Sequence, residues 1–323
     1  MVECVILALY SLFYVGSIIG VGLILGFVAG LGYAPLYYDR SENTGNRRWK
    51  GLIRGLTRLT YPVRRHYFDY TIEYRGEGER QSAKELEKEV TLLLKKPTKE
   101  QRERGEEREA AIFAASPHGL LAISTLFHSV LTDKYEEWSR LTTCVHRHMF
   151  FFPVVRELAL WLGLVDVTHN NMVSLLEQGR SLYLAPGGCR EMIIDKEHPV
   201  QTRHSGFLSI AYEQGVPVYP VIHIGQDEVF RSWTWPALDS FRTICLDLTG
   251  YPFPTFFTPP LPKKLSTYVF PAFRPTTYDT EEAFIAAYWK AVVKHYEALK
   301  VERQQAQEKR LSEEKKIYAS VGC

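Results

Sequence analysis

The chain has 323 residues, a formal net charge of +2 and a hydrophobic fraction of 46%. This near-neutral balance, with no zinc-finger or RNA-binding signature, excludes a nucleic-acid binder that works through bulk charge. Five widely spaced cysteines, Cys4, Cys144, Cys189, Cys245 and Cys323, form neither a disulfide framework nor a metal site by spacing; a reduced body facing the cytosol is the simplest expectation.

Residues 4–38 contain no charged side chain. At about 1.5 Å per helical residue this run exceeds the roughly 30 Å hydrocarbon core, whereas two full spans and a turn need roughly 40 residues or more. A membrane anchor over 1–38 is therefore expected, either one span or a hairpin of two short helices. Gly22, Gly26 and Gly30 share a helical face on which helices approach closely in lipid. Residues 39–66 then carry eight Lys/Arg against two acidic groups, which predicts that this flank and the rest of the chain beyond it stay cytosolic. Leu52, Ile53, Leu56, Leu59, Val63 and Tyr67 recur at helical spacing with Arg54, Arg58 and Arg65 off that face. The region 39–70 thus reads as a basic interfacial helix, interrupted near Pro62, lying on anionic headgroups.

From Thr71 the chain reads as a catalytic domain ending near 301. Residues 77–109 hold ten acidic and nine basic side chains, the pattern of a solvated charged insertion, helical around 83–95. Strands are predicted at 111–115, 142–145, 182–185, 218–224 and 267–271, alternating with helices at 120–131, 154–163, 171–178, 205–214 and 281–301. Strands separated by helices imply an α/β fold with a mostly parallel central sheet flanked by helices. The aromatic, proline-rich stretch 251–262 suits neither a helix nor a central strand, and reads equally as a membrane-dipping loop, an acyl-channel wall or a core cap. A polar tail is expected over 302–323.

Two strand ends carry the chemistry. Ala111–Ala115 leads into Ser116, Pro117, His118 and Gly119, placing an imidazole at a strand's carboxyl end, the usual crevice for ligands in open parallel sheets. Ser181–Ala185 leads into Pro186, Gly187, Gly188, Cys189, Arg190 and Glu191. A histidine there can take a hydroxyl proton, a nearby carboxylate can orient it, and glycine amides, with the Gly119 turn, can stabilise an oxyanion. The plainer readings are a structural hydrogen-bonding histidine and a turn-capping Glu191. Cys189 has no base close in sequence, His146 and His148 lack further ligands at metal spacing, and no Gly-x-Ser-x-Gly elbow occurs.

These blocks resemble the type-2 diacylglycerol acyltransferase family, relatives of the glycerolipid acyltransferases, over about 110–300. The family's His-Pro-His-Gly is similar to Ser116-Pro117-His118-Gly119, and its Gly-Gly-x-x-Glu to Gly187-Gly188-Cys189-Arg190-Glu191. Its Gly-Phe-x-x-x-Ala-x-x-x-Gly helix is similar to Gly206–Gly215, its Val-Pro strand to Val216–Val221, and its Phe-Gly-Glu-Asn-Glu to Ile224-Gly225-Gln226-Asp227-Glu228. The resemblance implies transfer of a long acyl chain from acyl-CoA, a co-substrate rather than a resident cofactor, to a glycerolipid hydroxyl, diacylglycerol first. Monoacylglycerol, a lysophospholipid or a fatty alcohol are alternative acceptors, and a non-catalytic lipid-binding protein that kept the fold is the rival from another class.

The resemblance also implies a membrane enzyme of the endoplasmic reticulum with a cytosolic catalytic domain, with the lipid droplet as a further location and self-association as a further property, and no nucleic-acid partner. His118 becomes the expected base and Glu191 its orienting acid, with Asp166 as second choice. Gly119, Gly187 and Gly188 become the turn and oxyanion glycines. Arg156, Arg203, Ser116, Pro117, Gly206 and Phe207 become substrate- or CoA-binding candidates, and no metal is expected. The chain departs from the family at Ser116, where the first histidine is missing, and at His204, where a basic residue precedes Gly-Phe. In the wider group an aspartate lies five residues after the histidine; Ile123 holds that position.

Overall fold

A computed structural model describes residues 32–76, 82–97, 109–134, 136–188, 204–233, 235–249 and 255–321. The chain divides into two compact units, Met1–Ser41 and Glu42–Cys323. The sheet and the candidate site belong wholly to the second. Most of the expected anchor, residues 1–31, lies outside the described residues; among those described, no helix is long and apolar enough to cross a membrane.

Seven strands form one sheet: β1 (Thr71–Tyr74), β2 (Ile112–Ser116), β3 (Leu141–Val145), β4 (Val165–Asp166), β5 (Ser181–Leu184), β6 (Val218–Ile224) and, after the small pair β7 (Ser232–Trp233) and β8 (Phe256–Phe257), β9 (Ser266–Val269). Their order is β1-β9-β6-β2-β5-β3-β4. Every neighbouring pair runs parallel except β6 with β9, so the sheet is mostly parallel, as the alternation of strands and helices predicts. All residues of β2, β5 and β6 are buried, which is why these strands are mostly apolar rather than alternating.

The helices around this sheet are α1 (Lys50–Pro62), α2 (Ala83–Leu94), α3 (Ile123–Ser129), α4 (Pro153–Trp161), α5 (His169–Glu177), α6 (Gly206–Gln214), α7 (Asp239–Thr249) and α8 (Glu281–Val321). On one face of the sheet, α5, α6 and α8 pack against Ile112, Ala114, Leu182, Leu184, Val218 and Ile222. On the other, α2 places Leu86, Val90, Leu93 and Leu94 over an aromatic ladder in which Phe113 stacks between Tyr183 and Tyr219 at 6.5 and 4.8 Å. Beside it, α1, α3 and α4 share a second cluster built on Ile53, Phe127, Val130, Ala159 and Leu160.

Three expectations change. Far from being a solvated insertion, the described part of 77–109 forms a core layer, because the few apolar residues at 86, 90, 93 and 94 fall on one helical face, and a Ser82–Glu85 capping box fixes the start of α2. The interfacial helix is divided: Ile53 and Leu56 turn into the core, while Leu59 is 72% exposed beside exposed Tyr61, Val63 and Tyr67. At Pro62 this helix passes into a π-helical turn, Val63–Tyr67, rather than stopping. Finally, helix α8 continues to Val321, and its Arg303 and Glu302 reach back to Glu228 (3.1 Å) and Arg75 (3.0 Å). The domain therefore extends past residue 301.

Candidate active site

The site begins where β2 runs out. After Ser116 comes a cis peptide to Pro117, then His118, and then Gly119 at φ +66°. Only glycine suits Gly119: its backbone is left-handed, and a Cβ there would come within 2.9 Å of the Gln226 side chain. β5 and β6 flank β2 in parallel, so the turns Pro186–Gly188 and Gly225–Glu228 leave the sheet on the same edge as His118. Ala114 pairs with Leu184 and Ser116 with Ile222, so the three turns crown the centre of the carboxyl edge, where ligands bind in such sheets.

His118 Nδ1 lies 2.8 Å from the Gly119 carbonyl. A carbonyl only accepts, so Nδ1 carries the hydrogen and Nε2 holds the basic lone pair. Burial pushes the imidazole pKa below its ordinary value, with the Gly119 bond opposing. The ring is thus neutral and basic near pH 7. Among the described residues the partner given for His118 Nδ1 is a backbone carbonyl; the expected orienting acid, Glu191, lies outside them.

Beneath the loop lies a buried polar network joining α3 to the sheet. His128 Nδ1 meets the Tyr183 hydroxyl at 2.9 Å, and that hydroxyl meets His223 Nε2 at 3.4 Å. His223 Nε2 also meets Thr125 Oγ1 at 3.3 Å, and Nδ1 meets Thr267 Oγ1 at 2.9 Å, which in turn meets the Tyr70 hydroxyl at 2.9 Å. Burial first, then the neighbouring His128 and His118, hold the His223 pKa well below the usual range. Burial likewise brings His128 down to about 3. Both rings are therefore neutral hydrogen-bonding struts, and they fix α3, and with it the loop that precedes it, on the sheet.

The other expected residues scatter. Ser116, the last residue of β2, and Pro117, the first of the loop, are both buried. Gly188, at φ +51°, donates its N–H to the Ala185 carbonyl at 3.2 Å, closing the Pro186–Gly187 turn instead of pointing at a ligand. Glu191, Arg203 and Cys189 lie outside the described residues. Arg156 is corrected: it is 1% exposed and binds Glu42 at 2.9 Å and Glu157 at 3.0 Å, a structural ion cluster to which Arg47 also contributes through Glu157. Seated so, its guanidinium does not serve a CoA phosphate. Phe207 is also corrected, being buried against Tyr288 and Trp289 at the start of α6, where Gly206 simply opens the helix. Asp166 sits on β4, three strands from β2; at about 4.8 Å per strand it is roughly 14 Å away, out of reach of His118.

Sequence reasoning placed Gln226 in the Ile224–Glu228 block but gave it no role. It is 1% exposed, its Oε1 accepts from the Ser124 N–H at 2.7 Å, and its Nε2 donates to the Pro117 carbonyl at 3.0 Å and to the His118 carbonyl. The signal was the position of Gly225-Gln226 just after the longest buried strand.

With this geometry in place, comparison with known proteins decides the lineage. The profile of the Diacylglycerol acyltransferase family matches residues 92–276, more than half of the chain. The chain belongs to this family. The diacylglycerol acyltransferase match contains the His118 loop, the Gly187–Gly188 turn, α6 and the Gly225–Glu228 turn.

Similar curated proteins include Diacylglycerol O-acyltransferase 1 of Eremothecium gossypii, 26% identical over 159 residues, covering 45% of this chain and 34% of that one. Human 2-acylglycerol O-acyltransferase 1 is 28% identical over 160 residues, covering 45% and 47%. Bovine Diacylglycerol O-acyltransferase 2-like protein 6 is 29% identical over 141 residues, covering 40% and 41%. The chain thus spans about half the length, or less, of the curated relatives it matches. Among solved structures, the 1-acyl-sn-glycerophosphate acyltransferase PlsC of Thermotoga maritima aligns with a TM-score of 0.41 and 14% identity over 77% of this chain and 79% of that one. At that score the likeness carries no functional weight.

Proposed function

We propose that this protein is an acyl-CoA-dependent O-acyltransferase that esterifies the free hydroxyl of a glycerolipid, with diacylglycerol as first acceptor. The observation that carries this reading is the neutral His118, pinned through Nδ1 by the Gly119 carbonyl at the carboxyl edge of the sheet, within the span that matches the family. Nε2 takes the proton of the acceptor hydroxyl as its oxygen attacks the thioester carbonyl. The tetrahedral intermediate collapses, the C–S bond breaks, and the departing CoA thiolate takes the proton from the imidazolium. Ester and free CoA thiol leave, and His118 returns to its neutral form. Family relatives are named for both diacylglycerol and 2-acylglycerol, which keeps monoacylglycerol as the nearest alternative acceptor.

A water-insoluble acceptor calls for work at a bilayer surface, and the described residues supply a suitable face. Helix α4 turns Arg156, Ala159 and Leu160 inward and leaves Phe151, Phe152, Val154 (83%), Val155, Leu158 and Trp161 exposed. Trp49 packs edge-on against Trp161 at 5.7 Å and ties this stripe to α1; α1 carries exposed Lys50, Arg58 and Leu59, and the turn after it exposed Arg65. An apolar stripe beside basic side chains matches lipid tails beneath anionic headgroups. In our reading this face seats the catalytic unit on the membrane.

The test is labelled acyl-CoA given to membranes bearing the protein, with diacylglycerol, monoacylglycerol, a lysophospholipid and a fatty alcohol offered separately. Triacylglycerol as the dominant product is expected; diacylglycerol from monoacylglycerol as the dominant product would move the acceptor, and no acyl product from folded protein would sink the reading.

A further inference from the structure

We infer that the excursion between β6 and β9 is a membrane-dipping flap: its exposed aromatic face enters the lipid leaflet beside the His118 turn, where the acceptor must arrive. It deepens the functional reading above, resting on it for the acceptor's insolubility in water.

Topology puts the flap at that edge. β6 and β9 are antiparallel with Ile224 opposite Ser266, so everything from Gly225 to Leu265 leaves and returns at the edge that carries His118. A connection this long between paired strands is far beyond what a hairpin needs, and such loops are usually functional. β1 starts at the same edge, because Thr71 lies opposite Ser266 in a parallel pair. The π-helical turn Val63–Tyr67 just before it therefore adjoins the flap, and the Tyr67 hydroxyl donates to the Pro260 carbonyl at 2.5 Å.

The flap is built inside out. Ser232 pairs with Phe257 and Trp233 with Phe256; Phe256 stacks on Trp233 at 6.2 Å and meets Trp235 at 5.4 Å. On α7, Arg242 is buried and held by Asp239 at 3.2 Å and Thr255 at 3.4 Å. Phe241 and Ile244, three residues apart and so neighbours on one helical face, are exposed instead. Trp233, Trp235, Phe241, Ile244, Phe256 and Phe257 are each between 36% and 58% exposed. Buried Phe230, at 5.6 Å from the Phe257 ring, roots this patch in the core.

Three observations select lipid as the occupant. Tryptophan and phenylalanine dominate the patch, as on surfaces that enter the headgroup and acyl boundary. Exposed Arg58, Arg65 and Arg231 lie on the segments that carry the patch and its continuation through Leu59, Tyr61, Val63 and Tyr67, and such basic groups suit anionic headgroups. The flap also rises from the turn whose Gln226 touches the Pro117 carbonyl at 3.0 Å. A protein partner seated there would shut the acceptor out, whereas lipid delivers it.

Full-length protein is reconstituted in phosphatidylcholine–phosphatidylserine liposomes, with or without bromine in the acyl chains. The emission that Trp233→Phe/Trp235→Phe removes from wild type, taken as a difference spectrum, reports these two side chains. It should lose most of its intensity in brominated liposomes and little to aqueous iodide. Quenching by iodide instead would leave the flap in water, and resistance to both quenchers would put protein over it, whether residues 1–31 or a second copy; either result overturns the inference. Should the variant not fold, wild type in liposomes holding a phosphatidylcholine with a photoactivatable acyl chain decides. Label on the peptides carrying Trp233 and Phe256 upholds the flap, and label confined to other segments, α4 included, overturns it. Acyl transfer to diacylglycerol is followed in the same liposomes: a lipid-quenched flap without product sinks the functional reading alone, and product from a flap that lipid does not reach sinks the inference alone.

Discussion

At His118 a 2.8 Å bond to a backbone carbonyl does what a carboxylate does elsewhere: it fixes which ring nitrogen holds the proton. A carbonyl carries no full charge, so it stabilises the imidazolium less than a carboxylate would, and burial wins in setting the pKa below the ordinary histidine value. This fixes the sign of the pH dependence. The base works when neutral, so kcat/KM should rise with pH and level off, with a midpoint below about 6.5. A steady-state profile on full-length protein checks this; a midpoint above about 7, or an acid limb absent while His118 remains essential, contradicts it. Residue chemistry also removes two candidates. Arg156 looked available because an arginine in a helix gives no hint of which side it faces, and only the tertiary placement of Glu42 and Glu157 draws it inside. Asp166 was excluded by strand order, which no local pattern encodes.

Among the elements, the outward face of α4 has the sharpest consequence. An apolar stripe left on the surface while Arg156 is buried inverts the usual helix pattern, and under the proposed membrane seating this stripe is the part that meets lipid. Replacing Val154 and Leu158 by aspartate should leave folding intact, since both side chains are exposed. It should cut sedimentation with vesicles containing anionic lipid several-fold; undiminished binding would show that other segments seat the protein. Which elements could be foreseen depends on the same physics. The central strands were legible because a parallel strand buried on both faces reads as a mostly apolar run, and β2, β5 and β6 are such runs. Helix α2 was legible as a helix but not as a core layer, since charge content dominated the reading while only the spacing of Leu86, Val90, Leu93 and Leu94 mattered. Helix α7 and the two-residue strands β4, β7 and β8 left no periodic signal. At the site, His118 and its glycine stood out by position, whereas Gln226 acts through contacts more than 100 residues distant in sequence.

On the scale of the molecule, the second unit, Glu42–Cys323, brings three turns from adjacent parallel strands to one edge and braces them from two sides. The His128–Tyr183–His223 network holds α3 from below, and α8, through Arg303 and Glu228, holds the Gly225–Glu228 turn. A groove around Arg48, Lys95, Arg140 and Arg180 lies elsewhere, near the opposite ends of β2, β3, β5 and β6. All of this rests on His118 as the group that takes the acceptor proton, and general-base removal typically costs roughly 10²- to 10⁴-fold. The direct measurement is transfer of labelled acyl-CoA to diacylglycerol by full-length wild type and His118→Ala at matched folded concentration. The expected result is a fall in kcat of about 10²-fold or more with KM for acyl-CoA little changed. Equal turnover by the two proteins would contradict the account.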